Sequence, residues 1–182
     1  MDDRVPTEKE CHELMEKHSM PENIVRHSIQ VMKVSLALAD NLKDRSIVDR
    51  NLIAAASLLH DIAKVISINN RDFRHDRTGA EMLRGMGFLS IARIVESHVE
   101  FRDFIPEGGL EEREIVFYAD KRVMHDRIVS IDERIDDLVK RYGITEKIKA
   151  LITENRELIL RIEKKISGYL ARDIESLLAD LA

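Results

Sequence analysis

The stretch Leu52-Ile53-Ala54-Ala55-Ala56-Ser57-Leu58-Leu59 has almost no polar side, and it runs without a break into His60-Asp61. Alanine and leucine are strong helix formers, and a helix apolar all round is a central one. The pattern therefore predicts a core helix from about Ile47 that ends at the His60-Asp61 pair and carries an imidazole and a carboxylate into the interior. Lys64 follows Asp61 by three residues and His60 by four, so it faces the same way if the helix continues for one turn.

Other periodic stretches predict helices around this one. Thr7 to Glu10 reads as a capping box opening a short first helix. Ser19, Pro21 and Glu22 open a second helix, with proline at its first position, running to about Asp40. Within it Ile24, His27, Val31, Val34 and Leu38 keep the three-and-four spacing, which puts His27 on an apolar stripe. The polar run Ser67 to Arg74 predicts a loop across the mouth of a site. His75 opens a helix closed by Gly85 and Gly87, and Leu89 to Phe101 predicts another with Ile91, Ile94, Val95 and His98 on one face. A second loop, Arg102 to Glu112, holds Pro106, Gly108 and Gly109. A helix starting at Glu111 then places Val116, Asp120 and Val123 together.

The text changes from Ile131. Asp132 to Arg141 is heavily charged, Gly143 breaks the helix, and Thr145 with Glu146 caps a long final helical region. Ile148, Leu151, Ile152, Asn155, Leu158, Ile159, Ile162 and Ile166 form a seam of about 3.5-residue period, which Gly168 is expected to kink or end. Leu170, Ile174, Leu177, Leu178 and Leu181 add one more amphipathic stretch. These helices either fold back on the rest or pair with a second chain, with a homodimer the weakly favoured outcome. The expected fold is all-α, a helical bundle over 1–130 with a C-terminal helical extension over 131–182.

Composition narrows the function. A chain of 182 residues with 44% hydrophobic and 35% charged positions, seven Gly and three Pro describes a soluble helical domain, with or without an appendage. A net charge of -5 without a basic block argues against duplex nucleic acid as a partner. No apolar run reads as a membrane span, and Met1-Asp2-Asp3-Arg4 is no signal peptide, so no membrane partner and a cytoplasmic location are expected. The single Cys11 excludes a disulfide framework and a cysteine-rich zinc site. His12, His18 and the pair His125-Asp126 read as surface groups, and Asp76 as a first-turn acid.

The remaining polar residues, His27, His60, Asp61, His75, His98 and Asp120, all fall on the core side or at the end of separate predicted helices. Burying them unpaired would cost several kcal/mol for each acid, against a net stability of roughly 5–15 kcal/mol. One shared metal centre removes that cost. Four imidazoles and two carboxylates suit iron, manganese or zinc better than magnesium or calcium. They are too many for a single catalytic zinc and about right for two metals bridged by a carboxylate and a water.

The order His, His-Asp, His, His, Asp resembles the HD superfamily of metal-dependent phosphohydrolases, in its HDIG branch. The resemblance lies in Arg26-His27-Ser28, Leu59-His60-Asp61-Ile62-Ala63-Lys64, His75 with Gly79-Ala80, Ser97-His98 and Tyr118-Ala119-Asp120-Lys121, over roughly 20–130. Members with all six residues resemble di-iron HD hydrolases, including those that cleave dinucleoside tetraphosphates symmetrically. The resemblance implies that His27, His60, Asp61 and Asp120 hold one metal and His75 and His98 a second, with Asp61 bridging. Ala63 stands where the branch has glycine, and nothing carries over to residues beyond Ile131.

The expected activity is hydrolysis of a small phosphorylated substrate, such as a nucleotide or another phosphate ester. Two divalent cations, most simply iron, would acidify a bridging water. Asp61 and Lys64 are the expected catalytic residues, and Lys64, Arg74, Arg77 and Arg102 the expected holders of phosphate. The alternatives are a mixed-valent di-iron oxygenase and a regulatory metal-binding module with little turnover.

Overall fold

The computed structural model describes residues 3–70 and 74–181, among which lie ten α-helices, one 3-10 turn and one two-stranded hairpin. In order they are α1 (Glu8–Lys17), α2 (Glu22–Asp40), the 3-10 turn Arg45–Ile47, α3 (Arg50–Leu59), α4 (Lys64–Asn69), α5 (His75–Gly85), α6 (Leu89–Glu96) and α7 (Glu112–Lys121). The antiparallel hairpin β1 (Val123–Met124) and β2 (Arg127–Ile128) follows, then α8 (Ile131–Tyr142), α9 (Glu146–Tyr169) and α10 (Ile174–Ala179). The all-α expectation therefore holds.

Local chemistry explains most boundaries. Thr7 and Glu10 close the expected capping box on α1. Pro21 is the N-cap of α2 rather than its first helical residue. The central helix starts at Arg50, not Ile47, because the Asp49 carboxylate accepts from the backbone N–H groups of Asn51 and Leu52. It also stops at Leu59, and His60 to Ala63 form a turn before α4 begins at Lys64. The expected loop from Ser67 is helical through Asn69, and its part at 71–73 lies outside the described residues. Helix α6 ends at Glu96, which leaves His98 in the turn beyond it. The hairpin escaped notice because two-residue strands are too short to show alternation.

Helix α3 is the centre of the packing. Every residue from Ile53 to Leu59 is buried. Small side chains let α2 approach it closely, and the Ser57 hydroxyl donates to the Ser35 hydroxyl across the contact at 3.0 Å. Residues Arg50–Asn69 have a mean hydropathy of 1.4 in their most apolar window, enough by length and composition to cross a membrane, but 67% of that window is buried inside the fold. The apolarity belongs to a core segment.

The C-terminal helices share that core. Ile159, Ile162 and Ile166 are fully buried, and Leu170, Ile174, Leu177 and Leu178 join the same cluster as Ile53 and Leu58. Helix α9 ends at Tyr169, one residue beyond Gly168. A short bridge pairs Leu42 with Leu170, and the buried Arg122 guanidinium donates to both oxygens of Glu175 at 2.6 and 2.9 Å. The buried pair Lys165–Glu114, at 2.7 Å, ties α9 to α7. The first half of α9 differs: Leu151 is 56% exposed, and Ile148, Ile152 and Asn155 are partly so. Gly143 separates α8 from α9, and a Cβ there would collide with the Val139 carbonyl. Among the two readings of the seam, the chain itself shows the fold-back.

Truncating Ile162 to Ala should cost about 3 kcal/mol and lower the melting temperature by roughly 6–12 °C in a thermal scan. A chain ending at Tyr142 should lose its cooperative melting transition, because the apolar faces that α9 and α10 cover would meet water.

Candidate metal centre

Six side chains from five places in the chain meet beneath α8 and α9. His27 comes from the middle of α2, and His60 and Asp61 from the turn that ends α3. His75 is the first residue of α5, His98 follows α6, and Asp120 lies in the last turn of α7. Their ligating atoms form two groups, His27–His60–Asp61 and Asp61–His75–His98, each with its atoms within 4.8 Å of one another. Asp61 belongs to both. Asp120 sits on the first group's side, its Oδ1 3.0 Å from His27 Nε2 and 3.7 Å from His60 Nε2. The imidazoles form a continuous row, with ring centroids 5.3, 5.1 and 5.0 Å apart from His27 through His60 and His98 to His75.

The backbone aims three of these rings. His60 Nδ1 donates to the Ser57 carbonyl at 2.7 Å, and His98 Nδ1 to the Val95 carbonyl at 2.6 Å. Both carbonyls lie at helix C-termini, where they lack the usual intrahelical donor. His27 Nδ1 donates to the His125 carbonyl at 2.8 Å. A carbonyl can only accept, so each Nδ1 carries its proton; His60 and His98 are left with an unpartnered Nε2, while His27 Nε2 lies 3.0 Å from Asp120 Oδ1. His125 adopts a left-handed φ of 59° in the hairpin turn, a conformation that costs energy in a non-glycine residue. Its side chain is exposed, as expected of that pair, yet its carbonyl orients a ring of the site.

Close packing holds the His60-Asp61 turn against α5. An added Cβ at Gly79 would lie 3.3 Å from a Val95 methyl and 3.5 Å from one of Ile62, so the absence of a side chain lets α5 sit on the turn. Ala63, where glycine was the family habit, has an ordinary φ of -97° and needs no glycine.

Burial sets the protonation pattern. It pushes the His60 imidazole down to about 3, against the pull of Asp61 and Asp120, and it also lowers His98. Burial works to raise both carboxyls, but neighbouring charge outweighs it. Asp61 is held well below the usual range chiefly by the Lys64 ammonium, and Asp120 by that of Lys121. Lys64 Nζ lies 2.6 Å from Asp61 Oδ2. Neutral imidazoles and ionised carboxylates are the forms that bind metals.

Three buried atoms of the cluster have no hydrogen-bond partner: His60 Nε2, His98 Nε2 and Asp61 Oδ1. Orphaned donors and acceptors of this kind are costly in a core. All three belong to the two groups of ligating residues, so the donor set fits divalent metal better than it fits an apolar or a purely hydrogen-bonded interior.

A cavity of about 520 Å³ opens above the centre. Asp61, His75, His98 and Asp120 form its floor, with Lys64 and Lys121 beside them. Its far side is built by α8 and α9, including Arg134, Arg141, Ile148 and Asn155. The expected phosphate holders differ: Lys64 lines the cavity, whereas Arg74, Arg77 and Arg102 do not. Arg74 is half-buried and committed to Asp76 through two hydrogen bonds of 3.0 and 3.1 Å. Arg102 is exposed and bound to Glu100, and Arg77 is exposed. Asp76 is the first-turn acid of α5, as expected, and is buried in its contact with Arg74. His18, expected to be solvated, is half-buried with its pKa lowered by burial. Arg134 and Arg141 were missed because α8 read as a solvated charged face. The available signal was their spacing of seven, with Leu138 between them on the same side of a helix.

Replacing Asp61 by Ala should strip the protein of all tightly bound metal, whereas His98→Ala should remove about half. Elemental analysis of protein purified without chelator reads both. Full metal content in Asp61→Ala would show that the carboxylate does not bridge.

Comparison with known proteins sets these residues in a family. The chain is 31% identical to the tRNA (cytidine(56)-2'-O)-methyltransferase of Picrophilus torridus, over 97% of this chain and 51% of that protein. It is 24% identical to the enzyme of the same name from Thermoplasma volcanium, over 95% of this chain and 50% of that one. The chain thus spans about half the length of the curated relatives it matches. No solved structure matches. The HD domain family matches residues 24–129, which include all six residues of the centre. With more than half its length matched and its His-Asp pair at the heart of a metal-type donor set, the chain belongs to the HD domain family.

Proposed function

We propose that this protein is a metal-dependent phosphohydrolase, cleaving a small phosphate ester at the centre beneath α8 and α9. One observation carries the reading: two triads of ligating residues share Asp61, and within them buried atoms of His60, His98 and Asp61 have no hydrogen-bond partner. Bound divalent cations would supply charge for the phosphoryl oxygens and an acidified water. The chain's own residues do the rest. His60 and His98 present Nε2 with their tautomers fixed by backbone carbonyls. Lys64 holds Asp61 from the cavity side, with 27% of its side chain exposed, and is placed to meet an anionic group entering the cavity. Lys121 Nζ donates to the His98 carbonyl at 2.8 Å and pairs with Asp120, steadying both halves of the centre.

The relatives' name raises a second reading, methyl transfer to a ribose hydroxyl of tRNA. Such a reaction needs a methyl donor held in line with the hydroxyl, and imidazoles and carboxylates gathered around an interior point supply no such cradle. We propose that the half of those proteins shared with this chain is the metal-binding half, and that methyl transfer belongs to the other. Incubation with S-adenosylmethionine and unmodified tRNA should give no methylated product, and methylation at cytidine would restore the second reading.

A screen of phosphate esters against metal-loaded protein should find hydrolysis that chelation abolishes and that manganese or iron restores. Lys64→Ala should keep its metal content and lose about 10- to 100-fold in kcat/KM, the worth of one charge-assisted contact in a partly buried site. Unchanged kcat/KM in that variant would return Lys64 to a structural role.

A further inference from the structure

Three of the cavity's cations gather at the two carboxylates: Lys64 at Asp61, and Lys121 and Arg134 at Asp120. Leu138, Ile144, Ile148 and Ile152 line the same cavity as an apolar wall. All of that wall lies outside residues 24–129, the part common to the family. Arg134 is more than nine-tenths buried. Its Nη1 donates to Asp137 at 3.2 Å and its Nη2 is 3.9 Å from Asp120 Oδ1, while its Nε has no partner. The Ser67 hydroxyl, also on the cavity lining, is buried and unpartnered as well. A buried guanidinium with an unmatched N–H is a costly thing to keep without an acceptor, and its planar fork fits phosphate.

The apolar wall restricts what that phosphate is attached to. A polyphosphate chain would extend its charge outward and need cations along the way. Here the outward path is aliphatic, and Arg141 is already engaged by Asp137. At the rim Ile68 and Ile144 are 66% and 81% exposed, an arrangement that leaves apolar side chains in water until something covers them. The volume of about 520 Å³ suits one small organic molecule.

We infer that the C-terminal helices select the substrate: Arg134 binds the phosphoryl group of a phosphomonoester, and the Leu138–Ile152 wall takes its apolar organic body. The inference rests on the phosphohydrolase reading for what happens to the ester, and on binding alone for its choice. The chain holds no tryptophan, so the fluorescence of a naphthyl probe is read against a weak protein background.

The test measures binding of 1-naphthylmethylphosphonate, which cannot be hydrolysed, to the metal-loaded full chain, with methylphosphonate and inorganic triphosphate as competitors. The naphthyl compound should bind at least ten-fold more tightly than either. Ile148→Ser, at a partly exposed position, should lower naphthyl affinity about ten-fold and leave methylphosphonate unchanged. Arg134→Gln should weaken both phosphonates about ten-fold or more, with Arg134→Lys recovering part of the loss in a protein of unchanged circular dichroism. Equal affinity for the two phosphonates, tighter binding of triphosphate, or no effect of Ile148→Ser would overturn the inference. Selective binding of this pattern in a protein that hydrolyses no ester would uphold the selection and sink the hydrolase. Hydrolysis that ignores the organic body, with equal phosphonate affinities, would do the reverse.

Discussion

Asp61 is a carboxylate in the middle of a hydrophobic protein, held ionised by the groups around it. Its side chain is almost fully buried, and it sits where the most apolar helix of the chain gives out. An isolated charge in that position would be expelled or neutralised. The surroundings prevent this with Lys64 on one oxygen and histidines around the other. Much of the fold can be read as a means of assembling those neighbours. The break after α3, the start of α5, the turn after α6 and the last turn of α7 all deliver polar side chains to one point. Burial then keeps the His60 and His98 imidazoles neutral and ready to donate lone pairs.

The second constraint comes from the C-terminal helices, which serve two ends at once. The later half of α9 and all of α10 complete the core through Ile159, Ile162, Ile166, Leu177 and Leu178. The earlier half of α9, with α8, stands over the candidate centre and bounds its cavity. One helix of 24 residues therefore couples stability to the shape of the site. By the proposed reading, changes in its first turns would alter what the cavity accepts, and changes in its last turns would alter whether the chain folds. The Arg122–Glu175 and Lys165–Glu114 pairs fasten the half that must not move.

Much of this was legible in the sequence, and the parts that were not share a cause. Residues whose message is local were readable. The stripe around His27, the apolar run into His60-Asp61 and the capping box at Thr7 depend on neighbours within a turn or two. Resemblance then joined six scattered residues that periodicity could only place on core faces. What escaped depended on distant contacts. Arg134 reads as one charge among many until α8 is seen to lie over Asp120. His125 reads as surface, which its side chain is, while its carbonyl orients His27 from 98 residues away. Arg74 offered itself as a phosphate ligand and is instead spent on Asp76. The end of α3, by contrast, was legible, since the apolar run gives out at the His60-Asp61 pair.

The central claim is that the His-Asp turn organises a two-metal centre with Asp61 between the metals. Anomalous X-ray scattering from crystals grown with manganese tests it most directly. The account predicts two peaks flanking the Asp61 carboxylate, one facing His60 Nε2 and the other His98 Nε2. A single peak remote from Asp61, or no peak at all with the histidines in their present places, would contradict it.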